Sequence, residues 1–447
     1  MKTLGVWFGI LVFAGFGMFP LPAQSTRPLT LEECIRIALK ENAQIKIASQ
    51  QLSLARYNYK GSFQNILPTL RVSYGMFRFE RGPTSYLGGE YVGEGIPALN
   101  RITRQTDYSF SLNLNQNIYD GGFWWNNIRK TRVEREAEAY NFESEKQKTV
   151  MTVMERYFTL LKEQKLLEVY QEAVRRSEEQ LNRAQSMYEL GSVAQVDVYR
   201  AKVNLGNDRI QYLNQKNVVE RARQDLNIAM GRDPREPLEI VTELEFHKYL
   251  ENIDNLFQEA LEKNPQLKKL KMDLQSMQLQ AKLAFSNFLP QVSSFFSYSR
   301  RVPEFEGLYR ELDREYTWTV GLQLSWNLFN GFADYINVQK AKVNQKLLRE
   351  QLLDFQRNLL SNIKSLYDNL KAYDEIIAIN QDNLEAAREE YRLAQERYRI
   401  GSGTALELRE AQLNLTRAEQ ILISAEYDAI INYARLLEAI GRLAEMY

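Results

Sequence analysis

The stretch Tyr316-Thr-Trp-Thr-Val-Gly-Leu-Gln-Leu-Ser-Trp-Asn-Leu-Phe-Asn-Gly-Phe332 repeats with a period of two. From Trp318 to Leu328 its even positions are Trp, Val, Leu, Leu, Trp and Leu. The odd positions between them are Thr319, Gly321, Gln323, Ser325 and Asn327. Such alternation belongs to a strand with one oily and one wet face. The same pattern occurs upstream, where Tyr108, Phe110, Leu112 and Leu114 alternate with Ser109, Ser111, Asn113 and Asn115. Strands are expected at 70–79, 108–119, 291–299 and 317–329.

A soluble sandwich also alternates, but it needs two apolar faces to bury against each other. Four strands supply little material for that, and Ser, Thr, Asn, Gln and Gly make a poor core but a good aqueous lining. Trp318 and Trp326 share the apolar face eight residues apart, about 26 Å along a strand. That spacing suits two aromatic girdles around an apolar band about 25 Å tall. Trp124 and Trp125 add aromatics where the chain leaves the strands. These features favour a membrane β-barrel. The smallest such barrel has about eight strands, so two, three or four copies of the chain must pool theirs, which also removes every open edge.

Outside the strands the chain reads as helix. It has 447 residues, 26% charged and 44% hydrophobic, too polar for a helical membrane protein. A formal net charge of zero gives no reason to expect nucleic acid as a partner. Residues 1–23 carry Lys2, an apolar run and Pro20-Leu-Pro-Ala, the layout of a secretory signal peptide. Beyond them no segment has about 18 consecutive apolar residues. The single Cys34 cannot form an internal disulfide, and the single His247 with scattered Met residues argues against a metal site of the usual ligands. No phosphate-binding Gly-Lys loop and no catalytic triad are present, so neither an enzyme nor a cofactor is expected.

The chain is internally duplicated. Tyr188-Glu-Leu-Gly-Ser returns as Tyr398-Arg-Ile-Gly-Ser, and Leu226-Asn-Ile-Ala-Met-Gly-Arg as Leu436-Leu-Glu-Ala-Ile-Gly-Arg, each pair 210 positions apart. Ala38-Leu-Lys-Glu-Asn matches Ala260-Leu-Glu-Lys-Asn at 222. About 12 extra residues therefore fall between Pro68 and Gly121, in a loop rich in Gly and Pro. The expected organisation is a first repeat over 24–230, a mid-rod linker over 231–255 with Pro234 and Pro237, and a second repeat over 256–447. Each repeat reads as a helix, two strands, a very long helix and a return helix. In the first repeat the opening helix is expected from Leu31 to Ile66, with Thr30 and Glu33 as its capping box and Leu29 and Cys34 as a hydrophobic staple. Apolar or small residues at 170, 174, 177, 181, 184 and 188 step by four and three, a coiled-coil seam. The long helix is a rod of roughly 100 Å, ended by Gly191 or Gly401. Two shorter helices stacked end to end match its length.

Taken in order and spacing, these motifs resemble the TolC-type outer-membrane efflux channel family. The carriers are Leu29-Thr-Leu-Glu-Glu-Cys-Ile-Arg-Ile-Ala-Leu, Leu67-Pro, Tyr119-Asp-Gly-Gly, Gly191-Ser-Val-Ala-Gln-Val-Asp-Val and Gly401-Ser-Gly-Thr-Ala-Leu-Glu-Leu. Cys34, Ala43 and Glu407 depart from the usual Ala, Pro and Asp. The resemblance implies a homotrimer, with a 12-stranded barrel in outer-membrane lipid above a periplasmic tunnel of antiparallel coiled-coil helices. It also implies docking to a periplasmic adaptor and an inner-membrane transporter through the turns Gly191-Ser192 and Gly401-Ser402. Asp197, Glu407 and Glu410 are expected to line the narrowed tunnel mouth. Thr404 and Glu407 are also spaced as a capping box, so helix capping competes with pore lining as the reason for that acid. A non-conducting periplasmic tether is the rival to an export duct.

Overall fold

Asparagine and glycine set the joints of this helical chain. The computed structural model describes residues 27–82, 86–87, 90–91, 102–241, 251–310 and 312–443. The expected signal segment 1–23, His247 and most of the Gly/Pro-rich loop (Pro83, Gly88, Gly89, Gly93, Gly95 and Pro97) lie outside these residues. Of the expected mid-rod linker, 242–250 do so as well.

In chain order the elements are α1 (Leu31–Glu41), α2 (Ala43–Gly61), a 3-10 turn (Ser62–Ile66), β1 (Thr69–Arg81), and a two-stranded pair of β2 (Tyr86–Leu87) and β3 (Glu90–Tyr91). Next come β4 (Thr103–Asp120), α3 (Phe123–Glu189), α4 (Gln195–Met230), α5 (Ile253–Lys263) and α6 (Pro265–Ser286). The chain continues through β5 (Gln291–Val302), a 3-10 turn (Phe305–Leu308), β6 (Tyr316–Ser325), α7 (Ala333–Arg399) and α8 (Ala405–Ile440). No described helix is long and apolar enough to cross a membrane.

α3 and α7 are unbroken rods of 67 residues each, about 100 Å long. α6 and α8 lie between them and pack on both, whereas α2 and α4 pack along α3. The main apolar core sits at mid-length. There Val150, Val153, Leu160 and Leu161 of α3 meet Ile363 and Leu370 of α7, with Leu226 of α4 and Ile440 of α8 beside them. α1 and α5 cover this level, and a bridge between Leu29 and Ile240 ties the linker to the start of the chain. The Thr30–Glu33 capping box forms in both directions. Cys34 is wholly buried in the core, and burial pushes its thiol up to about 12, a packing residue with no thiolate to offer.

The helix expected to run unbroken from Leu31 to Ile66 is instead broken at Asn42. Asn42 Oδ1 accepts from Gln44 N (2.8 Å) to cap α2, while its Nδ2 donates to Ala229 O (2.8 Å) at the end of α4. Asn264 does the same in the second repeat. It accepts from Leu267 N (2.9 Å) and donates to Ala439 O (2.9 Å). Against each joint lies a left-handed glycine. Gly231 (φ 77°) abuts Glu41, and Gly441 (φ 90°) abuts Lys263 and Asn264, so closely that a Cβ would sit 2.7 Å and 3.0 Å from backbone. The two short columns are thereby stacked end to end by one repeated device.

The main sheet has order β1-β4-β5-β6 with every pair antiparallel, and a bulge between Asn117 and Tyr119. Register separates two faces. Leu70, Leu114, Phe296 and Val320 form one row, and Val72, Leu112, Tyr298 and Trp318 the next. The opposite face carries Arg71, Asn113, Ser297 and Thr319, then Ser73, Ser111, Ser299 and Thr317. Ser297 Oγ lies 2.8 Å from Asn113 Oδ1 across strands. The Phe295 ring covers Gly321 opposite it, leaving 2.8 Å for a Cβ. That shielding repairs the gap a strand glycine makes.

Replacing Asn264 with Ala leaves Leu267 N and Ala439 O without their partners at a buried joint. The expected cost is about 1–3 kcal/mol, read as a lower midpoint for thermal loss of helical circular dichroism. Asn264→Ser, which retains the cap, is expected to lose less.

Candidate functional site

Two regions of the fold present chemistry to their surroundings: the far ends of the rods and the sheet. At the first rod end α3 stops at Gly191 (φ 74°), where Gly191 N donates to Tyr188 O (2.8 Å) and Ser192 N to Met187 O (2.8 Å). At the second, Gly401 (φ 79°) is followed by Ser402 N and Gly403 N, both donating to Arg397 O (2.9 and 3.0 Å). Nothing lies within 4 Å of a Cβ at Gly191 or Gly401, so left-handed backbone alone demands glycine there. Both turns are exposed.

The three acids expected beside these turns differ in their surroundings. Asp197 is half-buried and paired with Arg200 (3.2 Å). Burial and the Asp197 carboxylate together push the Tyr398 hydroxyl above its ordinary range, which links the α4 tip to α7. Glu407 completes the Thr404 capping box, its N–H donating to Thr404 Oγ1 (3.2 Å), and lies 3.6 Å from Arg397. Glu410 is exposed and has no ion pair among the described residues. Of the three, only its charge is wholly uncompensated.

The expected strand 317–329 ends at Ser325. Ser325 pairs with Gln291, and the next residue toward α6 is Pro290, which has no N–H to continue the ladder. Trp326 therefore lies beyond the strand, where its Nε1 donates to Phe288 O (3.0 Å). It does not share one straight strand with Trp318. Trp124 and Trp125 stand in the first turn of α3 as an edge-to-face pair 5.5 Å apart, with Arg129 5.1 Å over the Trp125 ring. Trp124, Trp125 and Trp326 thus collect at the helical end of the sheet. Trp318 lies on the edge strand β6, one row from Tyr316. The aromatics at the other end are Tyr74, Tyr108 and Tyr316, with Phe305 folded edge-on against Tyr74 (6.1 Å) and Tyr108 (5.8 Å). Beyond them the oily face turns polar, with Glu80 and Arg104 paired at 2.8 Å. Leu70, Val72, Val320, Leu322 and Leu324 are all exposed between these ends. An oily surface of that extent has to be covered.

The sequence model of the Outer membrane efflux protein family matches residues 34–232 and 256–442. The chain belongs to that family. It is 22% identical over 419 residues to the probable efflux pump outer membrane protein TtgC of Pseudomonas putida, covering 92% of this chain and 82% of the relative. To the outer membrane protein TolC of Escherichia coli it is 22% identical over 382 residues, 81% of this chain and 75% of that one. The Campylobacter jejuni CmeC outer membrane channel superposes with a TM-score of 0.82 at 19% identity, covering 92% of this chain and 85% of the other. The family comprises channel and transport proteins rather than enzymes. As an outer membrane efflux protein, the chain is an outer-membrane channel whose helical rods extend into the periplasm.

In this efflux protein a polar lock above the rod ends was not anticipated from the sequence. Arg409 of α8 makes a two-pronged contact with Asp208 of α4 (2.7 and 2.8 Å), and both side chains are largely buried. Ser177 of α3 donates to the same carboxylate, and Gln412 of α8 reaches Ser177 at 3.1 Å. The available signal was Ser177 itself, a polar residue in an otherwise apolar seam, a position that fixes coiled-coil register. Arg409→Met strands the Asp208 charge and is expected to destabilise the rods by about 3–5 kcal/mol. The Asp208→Asn, Arg409→Met double variant should recover most of that loss. Thermal unfolding of the three variants checks the order.

Proposed function

We propose that three copies of this chain form a passive exit duct of a tripartite pump or secretion system, running from the rod tips through the outer membrane. The carrying observation is the sheet. One face is apolar and exposed, the other is lined by Ser, Asn and Thr, and β1 and β6 each have a free edge. Open edges cannot persist in hydrocarbon, so β6 of one copy must pair with β1 of the next. Two copies would give eight strands, a barrel whose interior side chains fill. Three give twelve and leave a water-filled lumen. The polar face supports this reading over that of a non-conducting tether, which has no use for an aqueous lining.

Exposed apolar seams support the same assembly. Val196, Tyr199, Val203, Ile210 and Leu213 recur on α4 at coiled-coil spacing, and Ile376, Ile379 and Leu393 on α7 with Ile400 just past its end. Packing α7 of one copy on α2 and α4 of its neighbour would cover both. The turns Gly191-Ser192 and Gly401-Ser402, exposed at the extreme of each rod, are proposed as contacts for a periplasmic adaptor and an inner-membrane transporter. Glu410, with Glu407 one turn away and Asp197 at the α4 tip, is proposed to give the periplasmic mouth a negative ring that favours cations. Trp124, Trp125, Trp326 and Trp318 are proposed to meet outer-membrane lipid.

Native mass spectrometry of the detergent-solubilised chain is expected to give the mass of three chains, and planar bilayers containing it to conduct ions. A monomer that is soluble without detergent overturns the duct. In the Glu407→Gln, Glu410→Gln double variant, current block by hexamminecobalt(III) should weaken several-fold. Undiminished block removes the acidic ring and leaves the duct standing.

A further inference from the structure

Among the described residues Arg71 is the one charge in the polar-face rows that span all four strands, and we infer that its three copies form a cationic ring that binds polyvalent anions inside the duct. This rests on the trimeric reading above. Strand alternation puts Arg71 opposite Leu70 and Val72, hence on the polar face, in a row with Asn113, Ser297 and Thr319. It is exposed and makes no hydrogen bond or ion pair among the described residues.

Among the described residues the polar face has no carboxylate within two rows of it; toward the helices the first is Asp120, opposite Gln291 and three rows away. The rows on either side are Thr69, Asn115, Phe295 and Gly321, and Ser73, Ser111, Ser299 and Thr317. The first acid of the polar face toward the open end is Asp107, three rows away, where Arg301 is its diagonal neighbour. Closing the barrel does not change this. β6 of the next copy would lie against β1, and its polar-face residues are Thr317, Thr319, Gly321, Gln323 and Ser325. Whatever register the two edges adopt, β6 brings no acid to that face. Among the described residues Arg71 therefore stays uncompensated in the assembled channel.

Scale makes the ring effective. Twelve tilted strands enclose a barrel of radius about 12 Å, and an arginine side chain reaches about half that distance inward. An ion on the axis would then lie within about one Debye length of all three guanidinium groups at physiological salt. Asn113 on the adjacent strand supplies an amide beside the charge, and a guanidinium fork suits phosphate oxygens. The ligand class is a small polyvalent oxyanion or an organic solute bearing one. The sign is opposite to that proposed for the rod tips, so the duct would attract cations at its entrance and hold anions near its exit.

The test is single-channel recording of the full chain in planar bilayers, with inorganic pyrophosphate added to the compartment facing the barrel. Wild-type current should be reduced by pyrophosphate, less so as salt rises. Arg71→Gln should raise the half-blocking concentration about tenfold and move the zero-current potential in a KCl gradient toward K+. Arg71→Lys should retain block. If Arg71→Gln conducts with block and zero-current potential unchanged, the ring is refuted and the duct survives. If the wild-type chain does not conduct at all, the duct reading falls and the ring with it.

Discussion

Hydrocarbon offers no partner to a backbone N–H or C=O, and that constraint governs this molecule. Four strands with two bare edges and one oily face are not a stable object in water or in lipid. On the proposed reading other copies of the chain complete the sheet, and completion fixes much else. The strands must alternate, because one surface meets acyl chains while the other meets water. The helices must leave the sheet all at one end and run together, because the strands they continue are neighbours. On the same proposed reading the exposed seams on α4 and α7 stay open until a second copy arrives.

Within one chain the duplication solves a length problem. A rod of 67 residues needs neighbours equally long, yet the connection through the sheet supplies them in two pieces. Asn42 and Asn264 make those pieces meet by serving both sides of the gap, capping the helix that starts and binding the carbonyl of the helix that ends. Ala43 stands where the second repeat has Pro265. The break forms in both, so the asparagine suffices without the proline.

Much of this was legible in the residues. Period-two alternation gave the faces of β4 and β6, the 210-residue repeat gave the order of elements, and the two glycine turns marked the rod ends. Both capping boxes, at Thr30 and Thr404, form as their spacing implied. What escaped had non-local causes. The break at Asn42 depends on a carbonyl 187 positions away, and local helical pattern runs straight through it. Trp326 left the strand because Pro290, just before β5, cannot pair. Phe305 completes an aromatic end row only because its loop folds back on Tyr74 and Tyr108. For the rod tips, acidic residues near a turn were readable, but Glu407 and Glu410 carry the same charge and differ only in what surrounds them. Arg409 and Asp208 are 201 positions apart, and their pairing follows from how three helices twist about one another.

The two joints stand at the same height. Each short column is interrupted at the level of the mid-length core, and only α3 and α7 carry through it unspliced. In the proposed trimer, a tube walled this way would concentrate its compliance in a single plane, as a stack of pipe sections does at its couplings. α1, α5 and the Leu29–Ile240 bridge lie at that plane like a hoop, resisting outward buckling where the wall is weakest. Strain applied at the free ends would be absorbed there, and the lipid-embedded part would be spared the torque.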